Sequence, residues 1–262
     1  VQLRNYQQEA LDAMLKAERS GIKKQLVVLP TGAGKTVLFA HLPIVRNDSL
    51  PMLVLAHRTE LLQQAKNKIE SMNPELSVGI EKAESKAGKA DVVVASVQTL
   101  GRGNSNRIEG FEQDYFKTII IDEAHHAAAS SYQKILNYFN SDYVLGVTAT
   151  PQRSDSVRLV DTFDEIVYYK SIEDLINDGW LCPLIGYRVK TDTDISDVEI
   201  TNGDYRQEQL AEAIDNPTRN TCIVNAFLDL ASDKKPLFSP LTSLTRETWP
   251  HPLQHKQGPR YE

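Results

Sequence analysis

The stretch Leu29-Pro30-Thr31-Gly32-Ala33-Gly34-Lys35-Thr36 joins a run of apolar, β-branched residues to a helical pattern. Its residue types are those a polyphosphate needs. Gly32 and Gly34 let the chain turn tightly, so that the backbone amides from Thr31 through Ala33 to Thr36 can surround phosphate oxygens at a helix start. Lys35 adds a positive charge for the β and γ phosphates, and the Thr36 hydroxyl suits a magnesium ion. A second group, Asp122-Glu123, closes the apolar run Ile119-Ile120-Ile121. Adjacent carboxylates at a strand end are costly without a cation, and they suit a division of labour. Asp122 would hold magnesium, usually through water, while Glu123 polarises the water that attacks the γ phosphate. Taken singly, a glycine turn and a solvated acidic loop are common; together they point to a site that binds a nucleotide and hydrolyses its γ phosphate.

Such groups must be held by elements that end in the right place. Short apolar runs recur at Gln25–Pro30, Met52–His57, Asp91–Ser96, Thr118–Asp122 and Tyr143–Thr148. Between them Arg4–Arg19, Lys35–Val45, Arg58–Ser71 and Ser130–Phe139 keep apolar residues at helical spacing, as Leu61, Leu62, Ala65 and Ile69 do. Apolar strands alternating with amphipathic helices predict an α/β fold: a mostly parallel sheet covered by helices on both faces. This lobe is placed at residues 1–153. A connecting segment, 154–235, follows, with a strand at Glu165–Lys170, a helix at Ser171–Asp178, a strand near Leu184–Val189 and helices at Asp204–Ile214 and Pro217–Ala231.

The order of the motifs resembles that of superfamily 2 helicases of the DEAH-containing type: Gly-x-Gly-Lys-Thr, then Asp122-Glu123-Ala124-His125, then Thr148-Ala149-Thr150-Pro151. Helicase-type loops also accept a residue such as Leu29 where the strict phosphate-loop pattern has glycine. Leu3-Arg4-Asn5-Tyr6-Gln7 is similar to the entry motif of the restriction-motor and repair-helicase branch, which includes fungal mitochondrial branched-DNA helicases. The resemblance implies a RecA-like lobe, in which Gln7 reads the adenine with Arg4 or Tyr6 nearby. It implies catalytic roles for Lys35, Glu123 and His125, and a coupling role for Thr148 and Thr150 through His125. Residues around Arg58 and Thr99 look like the motifs that touch the nucleic-acid backbone, and a guanidinium and a hydroxyl both pair with phosphate oxygens. His126 is expected to be structural. DNA is the expected polymer, although these motif residues carry no base information that separates it from RNA. The family setting is intracellular, in the mitochondrion or nucleus.

Composition is compatible with this reading. Residues 1–150 hold 17 Lys and Arg against 16 Asp and Glu, and residues 151–235 hold 9 against 17, so the acidity lies away from the motifs. No apolar run reaches the roughly 18 residues of a membrane span, and no membrane partner is expected. Cys182 and Cys222 stand apart without metal-ligand spacing and point to a reducing compartment. Val1 in place of Met leads us to expect a start upstream. Residues 236–262 hold Pro236, Pro240, Pro250, Pro252 and Pro259 without periodicity. Where the family continues into a second lobe, this tail does not, and it is expected to be disordered and translated out of frame. The resembled family takes an arginine finger from that second lobe, so slow ATP turnover and no unwinding are expected of the chain. The competing reading is a non-catalytic fragment that only binds ATP or nucleic acid.

Overall fold

Strands buried on both faces must find parallel neighbours and helices to cover them, and in the computed structural model they do. The structure describes residues 2–233 apart from 47, 104–105, 151–158, 160, 192 and 202–203. The expected tail, 236–262, therefore lies outside the described residues, as does Pro151. Among the described residues no helix is long and apolar enough to cross a membrane.

The chain divides into two compact units, Val1–Pro183 and Leu184–Glu262. In the first, seven strands form one sheet in the order β3-β4-β2-β5-β6-β1-β7, and every pairing is parallel. They are β1 (Lys24–Val28), β2 (Met52–Ala56), β3 (Val78–Glu81), β4 (Val92–Ser96), β5 (Thr118–Asp122), β6 (Tyr143–Thr148) and β7 (Glu165–Tyr169). Successive side chains of a strand point to opposite faces, and the core splits accordingly. Val27, Val54, Val94, Ile120 and Val147 pack with residues of α1 (Asn5–Arg19), α2 (Lys35–Ala40), α3 (Leu42–Val45) and α4 (Thr59–Met72), among them Leu11, Phe39, Leu42 and Leu62. Their neighbours Leu53, Leu55, Val93, Ile119 and Ile121 pack with residues of α5 (Val97–Gly101) and α6 (Ser130–Tyr138), including Leu100, Tyr132 and Ile135. Each fully buried side chain of this size contributes roughly 1.5–3 kcal/mol. Two-sided burial, more than any polar contact, therefore holds the strand register.

The five strands expected in the lobe and its helices are present, with differences that have physical causes. The helix expected across Lys35–Val45 breaks at His41, because Pro43 has no N–H to give to the preceding turn. β3 was not expected from the sequence: it is a four-residue edge strand containing Gly79. The sheet and the compact unit also extend past residue 153. β7 pairs with β1, and α7 (Ile172–Asn177) buries Leu175 in the same core. α7 opens with Ser171, whose hydroxyl accepts from Asp174 N at 3.0 Å.

In the second unit the strand expected near Leu184–Val189 is absent. Leu184 is 74% and Ile185 76% exposed, and this stretch pairs with no strand among the described residues. β-propensity without a partner ladder leaves the backbone groups to water. The helix expected from Asp204 starts later: Asp204–Tyr205 (β9) pairs antiparallel with Ile200–Thr201 (β8), and α8 runs over Gln207–Ile214. α9 spans Pro217–Ala231, its start fixed by the Asn216 side chain accepting from Arg219 N at 2.8 Å and by Pro217 in the first turn.

Gly146, in the middle of β6, is where the strand is approached closely by Phe163 and by the short helix after β5. A Cβ there would come within 2.7 Å of Phe163 Cε1 and 2.9 Å of the Ala124 Cβ. Both neighbours are buried. Gly146→Ala is expected to destabilise the lobe by about 1–3 kcal/mol through overpacking. Urea unfolding monitored by circular dichroism tests this; an unchanged midpoint would refute it.

Candidate active site

The phosphate-loop candidate leaves β1 and turns back into α2. Gly34 takes a left-handed φ of +75° as the N-cap of α2, and a Cβ on it would stand 2.7 Å from Gln7 Nε2. The left-handed φ favours glycine, and an added Cβ would push the Gln7 amide off its place. The loop is pinned from α1: the Ala33 carbonyl accepts from Tyr6 Oη at 2.8 Å and Gln7 Nε2 at 2.9 Å. Gln7 Oε1 in turn accepts from Arg4 N at 3.0 Å. Each amide atom of Gln7 keeps one further hydrogen-bonding capacity. No side chain caps the start of α2 at Gly34. Thr31 and Gly32 are exposed on the outer turn, while Lys35 and Thr36 are half-buried in the first turn of the helix.

Facing the loop is the end of β5. Lys35 Nζ lies 3.6 Å from Glu123 Oε1, with the lysine side chain 11% exposed. Glu123 has φ 53° and ψ 53°, the one non-glycine residue in the left-handed region among those described. That conformation costs on the order of 1 kcal/mol and persists only when its surroundings enforce it. Here Glu123 N donates to Asp122 Oδ1 at 3.0 Å, and Glu123 O accepts from His126 N at 3.0 Å. Burial pushes the Asp122 carboxyl above the usual carboxylate range; the Glu123 charge pushes the same way, and Lys35 only partly offsets them. The site thus holds more negative charge than its lysine balances.

His125 connects this group to β6. Its Nδ1 lies 3.1 Å from Thr148 Oγ1 and 3.4 Å from Glu123 Oε2. The Thr148 hydroxyl also lies 3.2 Å from Thr150 O and accepts from Thr150 N at 3.3 Å, which ties the histidine contact to the turn after β6. Lys35, Asp122, Glu123, His125, Thr148 and Thr150 are therefore gathered at one end of the sheet.

Trp180 adds to this end and was not picked out as a site residue in the sequence. Its ring meets Tyr6 edge-on at 5.9 Å, and the Arg4 guanidinium lies over it at 5.3 Å. A tryptophan 173 positions beyond Gln7 carries no local signal for such a role.

Arg58 and Thr99 lie apart from the phosphate loop, in a broad pocket of about 890 Å3. β2 and β4 pair with Ala56 opposite Ser96, which sets the segments after both strands side by side. Lys82, Arg102 and Arg107 join them, against the acids Glu60 and Glu84. Arg107 shapes this wall. Its Nε donates to the buried Glu81 Oε1 at 2.7 Å, and its Nη2 donates to Ser85 O at 2.8 Å and Lys82 O at 3.1 Å. Glu81 Oε2 accepts from Ala87 N at 2.8 Å, so the loop after β3 is held from both sides. These cations escaped the sequence reading because they are scattered around an edge strand that it did not contain.

Residues 1–153 match the family described as type III restriction enzyme, res subunit. The chain is 37% identical over 248 residues to IRC3 of Saccharomyces cerevisiae, described as an ATP-dependent helicase, covering 88% of this chain and 35% of that protein. It is 36% identical to irc3 of Schizosaccharomyces pombe, described as a mitochondrial ATP-dependent helicase, covering 89% of this chain and 40% of the relative. The DNA 3'-5' translocase XPB2 of Sulfurisphaera tokodaii is 34% identical over 67% of this chain and 37% of its own length. Among solved structures, a fragment of an HsdR subunit of a type I restriction enzyme from Vibrio vulnificus superimposes with a TM-score of 0.52 at 26% identity, over 68% of this chain and 32% of that one. The chain thus spans well under half the length of the relatives it matches.

The raised pKa of Asp122 has a consequence for stability. The unfolded chain loses this proton near the ordinary value of 3.8, and the folded chain keeps it to higher pH. Stability therefore falls as pH rises from the unfolded value through the folded one, and the cost is complete above both. In magnesium-free buffer Asp122→Asn is expected to melt above the parent at pH 7, with the advantage gone below about pH 3.8. Melting curves across that range check it; a variant less stable at neutral pH would contradict it.

Proposed function

The chain belongs to the type III restriction enzyme, res subunit, family, and from that premise we propose that it is the ATP-binding lobe of an ATP-dependent DNA helicase or translocase. The observation that carries the reading is the convergence of Lys35, Glu123 and His125 beside the uncapped start of α2. The residues fit the expected ligands. An uncapped helix start with a half-buried ammonium suits phosphate oxygens, and the Thr36 hydroxyl with the Asp122 carboxylate suits a hard divalent cation such as magnesium. Burial first, and the neighbouring Glu123 charge second, raise the Asp122 pKa, and a bound cation would favour the carboxylate against both.

In this reading, magnesium supplies charge neutralisation for the β and γ oxygens. The chain's own residues do the rest. Amides from Thr31, Gly32, Gly34 and Lys35 cradle the phosphates, joined by the Ala33 amide once it leaves Pro30 O, to which it donates at 3.2 Å, and Lys35 exchanges its Glu123 partner for them. Glu123, freed from the ammonium, takes the proton from the attacking water. Gln7 turns its remaining donor and acceptor to the adenine, and Trp180 with Arg4 walls that side. His125 passes the state of Glu123 to Thr148 and Thr150. Phosphoryl transfer spreads charge over three oxygens, so turnover by this lobe is expected to be slow until a further cation joins from a second lobe.

DNA is the proposed polymer, supported by the similarity to the DNA 3'-5' translocase of Sulfurisphaera tokodaii. The mitochondrial description of the fission-yeast relative supports that compartment for this chain. Arg58, Thr99, Lys82 and Arg102 would hold the phosphate backbone, which positions the polymer without reading its bases.

Two measurements test the reading. Lys35→Ala should weaken binding of a fluorescent ATP analogue at least tenfold. Glu123→Gln should keep binding but lower phosphate release by roughly a hundredfold or more. Binding without any release in the parent chain would favour the non-catalytic alternative. For the polymer, Arg58→Ala and Lys82→Ala should each weaken binding to all sequences alike and reduce the slope of log affinity against log salt by about one. An unchanged slope in both would remove the pocket from the DNA path.

A further inference from the structure

Between the nucleotide site and the basic pocket stands a row of three imidazoles. The His125 and His126 ring centroids are 4.1 Å apart, tilted by 46°. His126 stacks in turn on His57, at 5.4 Å and 29°. His57 lies on the wall of the basic pocket, where a ring nitrogen is 2.9 Å from Gln98 Nε2. The amide nitrogen can only donate, so that ring nitrogen accepts. Gln98 Nε2 also donates to His57 O at 3.0 Å, and Gln98 Oε1 accepts from Ser96 Oγ at 2.8 Å. His125, at the other end, is tied to Glu123 and Thr148.

We propose that His126 is a positioning residue that couples the two sites, its ring packed between His125 on the nucleotide side and His57 on the nucleic-acid side. The proposal rests on the reading of these sites given above. An anion that takes the Lys35 ammonium releases Glu123, which is 3.4 Å from His125 Nδ1, and so changes what holds the first ring. The second ring sits in contact with the first and moves with it or obstructs it. The third ring carries the change to Gln98 and the neighbouring Thr99. Phosphates in the pocket act along the same row in reverse, since coupling between two binding sites is reciprocal. Neither the phosphate loop nor the basic pocket needs His126 as a ligand, so its loss should spare each site while uncoupling them.

The test uses the full 262-residue chain, a fluorescent oligonucleotide and a non-hydrolysable ATP analogue with magnesium. DNA affinity is measured with and without nucleotide, and nucleotide affinity with and without DNA. The parent should show a mutual effect of about fivefold or more, within the usual range for coupled sites. His126→Ala should keep each separate affinity within about twofold and bring the mutual effect below about twofold. His126→Phe, which keeps an aromatic face without ring nitrogens, should retain it, and its melting temperature controls for folding. Separate binding without mutual effect in the parent, retention of coupling in His126→Ala, or failure of His126→Phe to retain it would each overturn the proposal. A parent that binds neither ligand would overturn the functional reading itself, and this inference with it.

Discussion

The chemistry of this lobe depends on three parallel strands ending together. Val28 of β1 pairs with Thr148 of β6, and Asp122 of β5 pairs with Val147 of the same strand. Leu29 N then donates to Thr148 O at 2.9 Å, extending the ladder one residue into the phosphate loop. With that register the loop, the acidic pair and the threonine meet at one edge. A one-residue slip would turn Ile120 and Leu145 from one face of the sheet to the other and break both halves of the core. Apolar burial spread over many side chains thus fixes polar groups that could not hold their own places.

Those polar groups are costly to the fold. Burial disfavours the charge of Asp122, Glu123 occupies a backbone region that L-residues avoid, and Lys35 is committed to a carboxylate it would have to leave. Strain of this kind collects at functional sites and is tolerated because the surrounding structure over-determines it. The supports here are the Tyr6 and Gln7 bonds to Ala33 on one side and the His125 to Thr148 bond on the other.

The basic pocket uses the same sheet differently. Its walls come from the ends of β2 and β4 and from the loop after β3, so it adjoins the nucleotide site without sharing its ligands. The buried Glu81 to Arg107 pair is a structural clamp on that loop. Removing Arg107 would leave the Glu81 carboxylate, whose side chain is 3% exposed, without its counterion, and loss of the partner of a buried charge is strongly destabilising.

Much of this was legible in the chain. Two-faced apolar runs marked β1, β2, β4, β5 and β6, because central parallel strands bury both faces and the runs are too short for buried helices. Glycines at fixed offsets before Lys35 and the acids after Ile121 marked the nucleotide site, because local backbone geometry dictates those residue types. Tertiary structure alone decided what depended on a distant partner. β3 is a strand because β4 offers it a ladder, whereas Leu184–Val189 has strand-like residues and no partner among those described. Trp180 meets Arg4 and Tyr6, Arg107 meets Glu81, and His126 meets His57 across gaps in sequence that no periodicity spans. Sequence determines what a segment can do by itself, and pairing of segments far apart in the chain determines which of those possibilities the folded protein keeps.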